Sequence, residues 1–271
     1  EIHGTANDSH CGTSAETNKR DAPEAQRALG TFFMASFFRY FVGGETAFAD
    51  YWTGLADVPP TICPEGDSTG CAQRYLLSAW SGADDRMVID TTPLASSLTT
   101  NALGGAITLN GFARFEACTT EARDGSGCGE SDPTFTSTEQ LLLQWTAAAS
   151  YTTELGNLDA SDYHVLTIRS GVSIGDEANL DGQDFVIALT DSAGRSARLN
   201  ASAFSAALFY PPGDAFDGGG SRKLILNDLR IPLTAFGGID FGHLQTLALE
   251  FSTTTAGTVQ ITDLQFQRVS P

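Results

Sequence analysis

The chain has 271 residues, of which 41% are hydrophobic and 10% aromatic, a composition typical of a folded globular protein rather than a disordered one. Its 33 acidic residues outnumber its 15 basic ones and give a net charge of −18. Such a charge repels phosphate backbones and anionic membranes, which argues against nucleic acid as a partner. The most apolar stretch, residues 29–42, is interrupted by Arg39, so no membrane span is predicted.

The first ten residues predict a short strand, a turn at Gly4 and a loop that exposes His10. A strongly apolar helix is then predicted over residues 22–42, and a short second helix over residues 45–55. Aromatic and aliphatic side chains recur in the first helix at four-residue spacing, at Leu29, Phe33, Phe37 and Phe41. No other element predicted in the first 80 residues is large enough to cover this face. We therefore expect the sheet of a preceding domain to cover it.

The cysteines predict two local disulfides, each closing a loop of turn-forming residues. Cys63 would pair with Cys71, and Cys118 with Cys128, at spacings too wide for a metal knuckle. Disulfides of this kind imply an oxidising compartment, so we expect a secreted, extracellular protein. Cys11 is left over, and it is either bonded to a partner elsewhere or buried as a free thiol.

From about Arg86 onward the apolar residues alternate with polar ones, and turn residues separate short segments at regular intervals. This pattern predicts the strands of an antiparallel β-sandwich of jelly-roll type. The predicted strands lie at residues 87–89, 106–109, 141–145, 164–168, 185–189, 197–199, 224–226, 229–231, 247–251 and 259–261.

The order of a strand, a histidine loop and a final helix resembles the C-terminal end of an α/β-hydrolase, whose triad runs Ser, Asp, His along the chain. The resemblance implies that residues 1–82 complete a hydrolase domain and that His10 is the general base. The nucleophile and the acid would then lie outside this chain, which would be inactive alone. The implied function is that of the C-terminal portion of a secreted serine ester hydrolase, with no cofactor required for catalysis. Its partner would be the missing N-terminal portion, linked through Cys11 if it is a separate chain.

A second serine motif does not support a nucleophile within the chain. Residues 66–70 match Gly-x-Ser-x-Gly around Ser68. A nucleophile elbow needs a buried strand directly before it, and Pro59 and Pro60 precede this motif instead. The motif also lies inside the predicted Cys63–Cys71 loop, so we expect Ser68 to be part of a turn.

The second half of the chain resembles galactose-binding-like jelly rolls, which secreted bacterial glycosidases and esterases carry as accessory modules. The segments 184–195, 229–236 and 257–266 carry the resemblance. It implies that residues 83–271 form a carbohydrate-binding-module-like domain. The fold class is therefore expected to be mixed: the C-terminal end of an α/β-hydrolase domain, one strand plus helices, followed by an all-β jelly-roll sandwich.

The same resemblance allows for a structural calcium ion in the sandwich, with Asp263 as a candidate ligand. A run of acidic residues and glycines at residues 175–184 has the composition of a calcium loop. It lacks the closing Glu and the flanking helices of an EF-hand, so a solvated loop is the preferred interpretation. The metal content is otherwise open.

An alternative function is a non-catalytic extracellular protein that binds a carbohydrate or assembles with another surface, its helical segment serving only as a connector. Binding a polysaccharide requires exposed aromatic rings that stack on sugar faces. The candidate rings are Trp80, Trp145, Tyr151, Tyr163, Phe209 and Tyr210. Tyr210 is the preferred platform because it precedes a glycine-rich loop, although core packing is the ordinary role of such a ring.

Overall fold

A computed structural model describes residues 23–59, 61–62, 76–92, 98–119, 139–173, 176–210 and 226–270. Its N-terminal part is helical. Helix α1 (Pro23–Phe37) continues into a π-helical turn (Phe38–Val42), and a 3₁₀ turn (Thr46–Phe48) leads into helix α2 (Ala49–Thr53). Helix α2 ends at Gly54, which adopts a left-handed conformation (φ 83°) that glycine accepts without strain.

The remainder is a sandwich of two antiparallel sheets. The strands are β1 (Arg86–Asp90), β2 (Ile107–Asn110), β3 (Arg114–Thr119), β4 (Glu139–Trp145), β5 (Ala149–Leu158), β6 (Val165–Val172), β7 (Val186–Asp191), β8 (Ser196–Asn200), β9 (Asn227–Pro232), β10 (Leu244–Phe251) and β11 (Gly257–Gln267). The larger sheet has the order β3-β4-β11-β6-β9, with β1 also paired to β11, and the smaller sheet has the order β2-β5-β10-β7-β8. The predicted sandwich is confirmed.

The core lies between the two sheets and is built from the inward side chains of alternating strand positions. Its largest fully buried residues include Trp145, Phe185, Phe251 and Phe266. The side chains on the outer face of strand β11 are buried as well. These are polar, namely Thr258, Gln260, Thr262, Gln265 and Gln267. The outer face of the larger sheet is therefore covered rather than solvated.

Part of that cover is the N-terminal helical segment. Tyr40 and Trp52 pack in one apolar cluster with Val165 of β6 and Val269, and Arg230 of β9 donates hydrogen bonds to the Trp52 carbonyl oxygen. Of the apolar face predicted on the first helix, Phe33 and Phe41 pack partly buried against this cluster, Leu29 packs with Val58, and Phe37 is exposed. Cover of this face by a hydrolase sheet stays a prediction. The division of the chain at residues 82 and 83 stays a prediction.

The hydrolase part of the predicted fold has no counterpart among the described residues. The strand and the histidine loop expected there fall on residues 1–10, which lie outside the described ranges. Within those ranges, residues 23–59 form helical turns and connections. No helix in the described part of the chain is long and apolar enough to cross a membrane.

Of the five cysteines, the structure describes only Cys118. Cys118 on β3 is buried, packs against Leu142, and is disulfide-bonded. Its predicted partner, Cys128, lies outside the described residues, as do Cys11, Cys63 and Cys71. The two disulfide pairings therefore stay predictions.

Candidate functional site

An extended segment, residues 76–81, lies on the outer face of the larger sheet. Asp228 of β9 accepts a hydrogen bond from the Ala79 amide (3.2 Å), and Arg230 donates to the Ala79 carbonyl oxygen. At its far end, the Ser81 amide donates to Oε1 of Gln267 on β11 (3.1 Å). Side chains of β9 and β11 thus fix the backbone of this segment, although the segment itself has no regular secondary structure.

Trp80 is the aromatic residue that this segment presents to solvent, with 49% of its surface exposed. The guanidinium carbon of Arg86 lies 4.9 Å from the centre of its ring, and that of Arg169 lies 5.6 Å away. Two cation–π contacts therefore hold the indole while half of it faces water.

The strand register shows what lies beneath the indole. Arg86 of β1 is opposite Gln267, and Arg169 of β6 is opposite Thr262. Gln265 is the residue of the same outer face that lies between these two positions on β11. Because Trp80 contacts both arginines, its ring lies over the part of β11 that carries Gln265.

Among the described residues, several buried polar atoms on this face lack hydrogen-bond partners. Gln260 donates through Nε2 to Oγ of Ser173 (3.1 Å), but its Oε1 atom has no partner. The Nε2 atom of Gln265 and the Oδ1 atom of Asp228 are likewise unpaired. An unpaired buried polar group costs about 1–3 kcal/mol, so these atoms lower the stability of the fold locally.

A pair of buried opposite charges lies under residues 76–81. Burial raises the pKa of Asp228 to about 6, against the attraction of the Arg230 and Arg169 guanidiniums. Burial also lowers the pKa of Arg230 to about 10. Both groups remain predominantly charged at pH 7, which keeps the hydrogen bonds to Ala79 in place.

The candidate calcium ligands are engaged by protein donors. Asp263, at a bulge in β11 with φ 50°, forms an ion pair with Nη1 of Arg169 (3.1 Å). Asp176 accepts hydrogen bonds from the Ala178 amide and the Thr258 hydroxyl. Within the described ranges no three His, Cys, Asp or Glu side chains are grouped so that they could hold a metal ion. The calcium hypothesis gains no support from these residues.

Of the two predicted site residues, the structure describes only Tyr210. His10 lies outside the described residues, so its catalytic role stays a prediction. Tyr210 is only 3% exposed and belongs to the core between the sheets, so its ring cannot serve as an open platform for a sugar. The glycine-rich sequence after Tyr210 suggested exposure, but the ring packs inward.

Sequence reasoning included Trp80 among the candidate rings without preferring it, and missed Arg86, Arg169 and the glutamines of β11. The alternation of polar residues along residues 258–267 was the available signal. A strand whose polar positions are glutamines and threonines, rather than charged residues, is consistent with a covered outer face.

No protein-family model matches the chain, and no curated protein sequence matches it. Among solved structures, the fold is similar to a family 11 carbohydrate-binding module of a cellulosomal cellulase from Clostridium thermocellum, at 8% identity and a TM-score of 0.41, over 69% of this chain and 96% of that one. It is also similar to an exo-β-agarase (11% identity, TM-score 0.41, 69% of this chain and 26% of that one). A family 30 carbohydrate-binding module matches at 15% identity and a TM-score of 0.36, over 52% of this chain and 73% of that one. At such scores these similarities say nothing about a ligand.

Proposed function

We propose that this chain binds a polysaccharide without cleaving it, on the outer face of the larger sheet, with Trp80 as the stacking platform. The observation that carries the proposal is the half-exposed indole of Trp80, which two guanidinium groups contact on the outer face of the larger sheet. Polysaccharide binding is the alternative that the sequence left open beside ester hydrolysis.

The chemistry of a sugar ring suits this arrangement. A pyranose presents C–H groups on its faces, which stack on an aromatic ring, and hydroxyl groups on its rim, which need hydrogen-bond donors and acceptors. Because Arg86 and Arg169 already hold the indole, little side-chain entropy is lost when a sugar stacks on it.

The carboxylates near Trp80 favour binding over glycoside cleavage. A glycosidase needs two carboxyl groups that are free to act on opposite sides of the scissile bond. Here Asp228 accepts the hydrogen bond of the Ala79 amide, and Asp263 is paired with Arg169. Both acids are thus committed to holding the platform and its surroundings.

Substitution of Trp80 tests the proposal. We expect Trp80→Ala to abolish retention of the full chain on the polysaccharide that it binds, measured by pull-down with insoluble glucans, agarose, chitin and cell-wall preparations. Phe115→Ala is the matched control, because Phe115 is similarly exposed (45%) on the edge strand β3. Equal retention of both variants would contradict the assignment of Trp80.

The serine ester hydrolase hypothesis stays a separate prediction, since the residue that would carry it, His10, lies outside the described ranges. It requires a reactive serine on associated polypeptide. Labelling of native material with a fluorophosphonate, followed by mass analysis with and without reductant, would test it. A labelled chain released by reduction would support the hypothesis, and its absence would leave polysaccharide binding as the only proposed activity.

A further inference from the structure

We infer that the Trp80 surface recognises a glycan carrying a carboxylate or sulfate group, and that Arg86 is the residue that contacts this anion. The inference rests on the proposed polysaccharide binding and specifies its ligand class.

Arg86 differs from every other arginine in the described part of the chain. Eight others make an ion pair or a hydrogen bond through the guanidinium group: Arg27, Arg39, Arg114, Arg169, Arg195, Arg198, Arg230 and Arg268. Among the described residues, the Arg86 guanidinium has a cation–π contact with Trp80 but neither kind of polar partner, and its Nε atom is shielded from solvent without a hydrogen bond.

The lack of a carboxylate partner is notable because acidic residues outnumber basic ones by 33 to 15. In such a chain most basic side chains form an ion pair with a carboxylate, as most of the other described arginines do. A guanidinium is a planar fork of N–H donors that matches the oxygen atoms of carboxylate or sulfate groups. Stacking on Trp80 fixes the fork beside the proposed platform, where the substituent of a stacked sugar would lie.

The charged groups around Trp80 also leave a net positive charge there, which favours an anionic ligand. The charged groups that the structure associates with Trp80 are the guanidiniums of Arg86, Arg169 and Arg230 and the carboxylates of Asp228 and Asp263. Arg169 pairs with Asp263, and Arg230 is attracted to Asp228, so among these described groups only Arg86 has no carboxylate partner.

The net charge of −18 limits which anionic glycans fit. Repulsion between the whole chain and a dense polyanion acts over a Debye length, about 8–10 Å at ionic strengths of 0.10–0.15 M. A contact between Arg86 and one acidic group acts at much shorter range. The site therefore suits a polysaccharide with acidic groups on some of its sugars better than a uniformly charged polymer.

Affinity electrophoresis of the full chain tests the inference. Native gels would contain a neutral polymer (mixed-linkage β-glucan or agarose), a sparsely carboxylated one (glucuronoxylan or highly methyl-esterified pectin) or a sulfated one (κ-carrageenan). We expect retardation in one of the anionic gels and little in the neutral ones. Whether the carboxylated polymers or carrageenan retard the chain identifies the acidic group.

Two variants connect the retardation to Arg86. We expect Arg86→Gln to weaken binding to the anionic polymer about ten-fold, the loss typical of one charge-assisted hydrogen bond. Arg198→Gln is the control, since Arg198 lies on β8 in the opposite sheet and pairs with Glu250. Near-ultraviolet circular dichroism would establish that the Trp80 environment survives the Arg86 substitution.

The outcomes separate this inference from the proposed function. Retardation by neutral polymers that Arg86→Gln leaves unchanged would overturn the inference and leave polysaccharide binding standing. Retardation by an anionic polymer that Arg198→Gln weakens as much as Arg86→Gln would also overturn it, because general charge would then explain the effect. A lack of retardation in every gel would overturn both proposals.

Discussion

Arg230 donates two hydrogen bonds, from Nε and Nη2, to the carbonyl oxygen of Trp52, at 3.0 Å and 2.8 Å. One side chain of strand β9 thereby holds the end of helix α2 on the sheet, and its third nitrogen, Nη1, holds the Ala79 carbonyl oxygen. The two segments that cover this part of the larger sheet, the helices and residues 76–81, thus depend on the same buried cation.

We expect Arg230→Met to destabilise the fold strongly. The substitution keeps much of the side-chain volume but leaves two carbonyl oxygens and the Asp228 carboxylate without their buried partner, which costs about 3–5 kcal/mol in comparable cases. Urea unfolding monitored by tryptophan fluorescence would measure the loss. Arg198→Met, on the exposed outer face of the smaller sheet, should change the unfolding free energy by less than about 1 kcal/mol. Similar stabilities for the two variants would refute this account of Arg230.

The raised pKa of Asp228 predicts a pH dependence of stability. Its folded-state pKa of about 6 lies above its ordinary value of 3.8, so between these pH values the folded state binds more protons than the unfolded state. The contribution of Asp228 to the unfolding free energy therefore falls as pH rises from about 4 to 6 and levels off above that range. A shift of this size corresponds to about 3 kcal/mol.

Comparison with Asp228→Asn isolates this contribution. Other carboxyls also titrate: burial raises the pKa of Asp90, whereas hydrogen bonds from Ser161 lower that of Asp159. The difference in unfolding free energy between the parent chain and the variant should therefore be plotted from pH 4 to pH 8. We expect the variant to lack the decline between pH 4 and 6 that is due to Asp228. A difference that does not vary with pH would show that Asp228 has an ordinary pKa.

The sandwich was predictable because most of its strands alternate cleanly between apolar inward and polar outward residues. Strand β5 was missed since an inward position is a threonine, Thr153, whose hydroxyl accepts a hydrogen bond from Asn101. Strand β3 was missed because it is an edge strand with the exposed residues Arg114 and Phe115. Local composition there does not resemble a buried strand.

The candidate site was less predictable because it is assembled from distant parts of the chain. Trp80 owes its position to Arg86, to Arg169 and to the hydrogen bond between Asp228 and the neighbouring Ala79 amide, and these contacts depend on the order of strands in the larger sheet. Neither the residue types nor their spacing specifies that order. The preference for Tyr210 failed for a related reason, since sequence next to a glycine-rich loop does not determine which way a ring packs.

The start of β11 should not tolerate a side chain in place of Gly257. A Cβ atom there would lie 2.5 Å from Nε2 of Gln183 and 2.7 Å from Cζ2 of Trp145, and the latter belongs to a fully buried ring that cannot move freely. We expect Gly257→Ala to lower the unfolding free energy by about 1–3 kcal/mol, the usual cost of overpacking a core. Thermal unfolding followed by circular dichroism would measure it.

Gly30→Ala is the matched control for this substitution. Gly30 lies inside helix α1, and a Cβ atom there would meet nothing within 4 Å. Because alanine is favoured over glycine in a helix interior by about 0.5–1 kcal/mol, this variant should be slightly more stable than the parent chain. If both glycine variants changed stability in the same direction, the close packing at Gly257 would not be the cause.

Asn179 offers a test that also bears on calcium. Its buried side chain donates through Nδ2 to the carbonyl oxygens of Ser173 and Thr258, and its Oδ1 accepts from the Thr258 amide and from Nε2 of Gln183. In Asn179→Asp an ionised carboxylate would bring an oxygen against both carbonyl oxygens, so we expect a loss of about 2–3 kcal/mol at pH 7. A calcium loop would instead gain from an added carboxylate.

The melting temperatures of the parent chain and of Asn179→Asp should therefore be measured with calcium and with a chelator. Equal destabilisation of the variant under the two conditions supports a purely hydrogen-bonded loop. Stabilisation of the variant by calcium would contradict it.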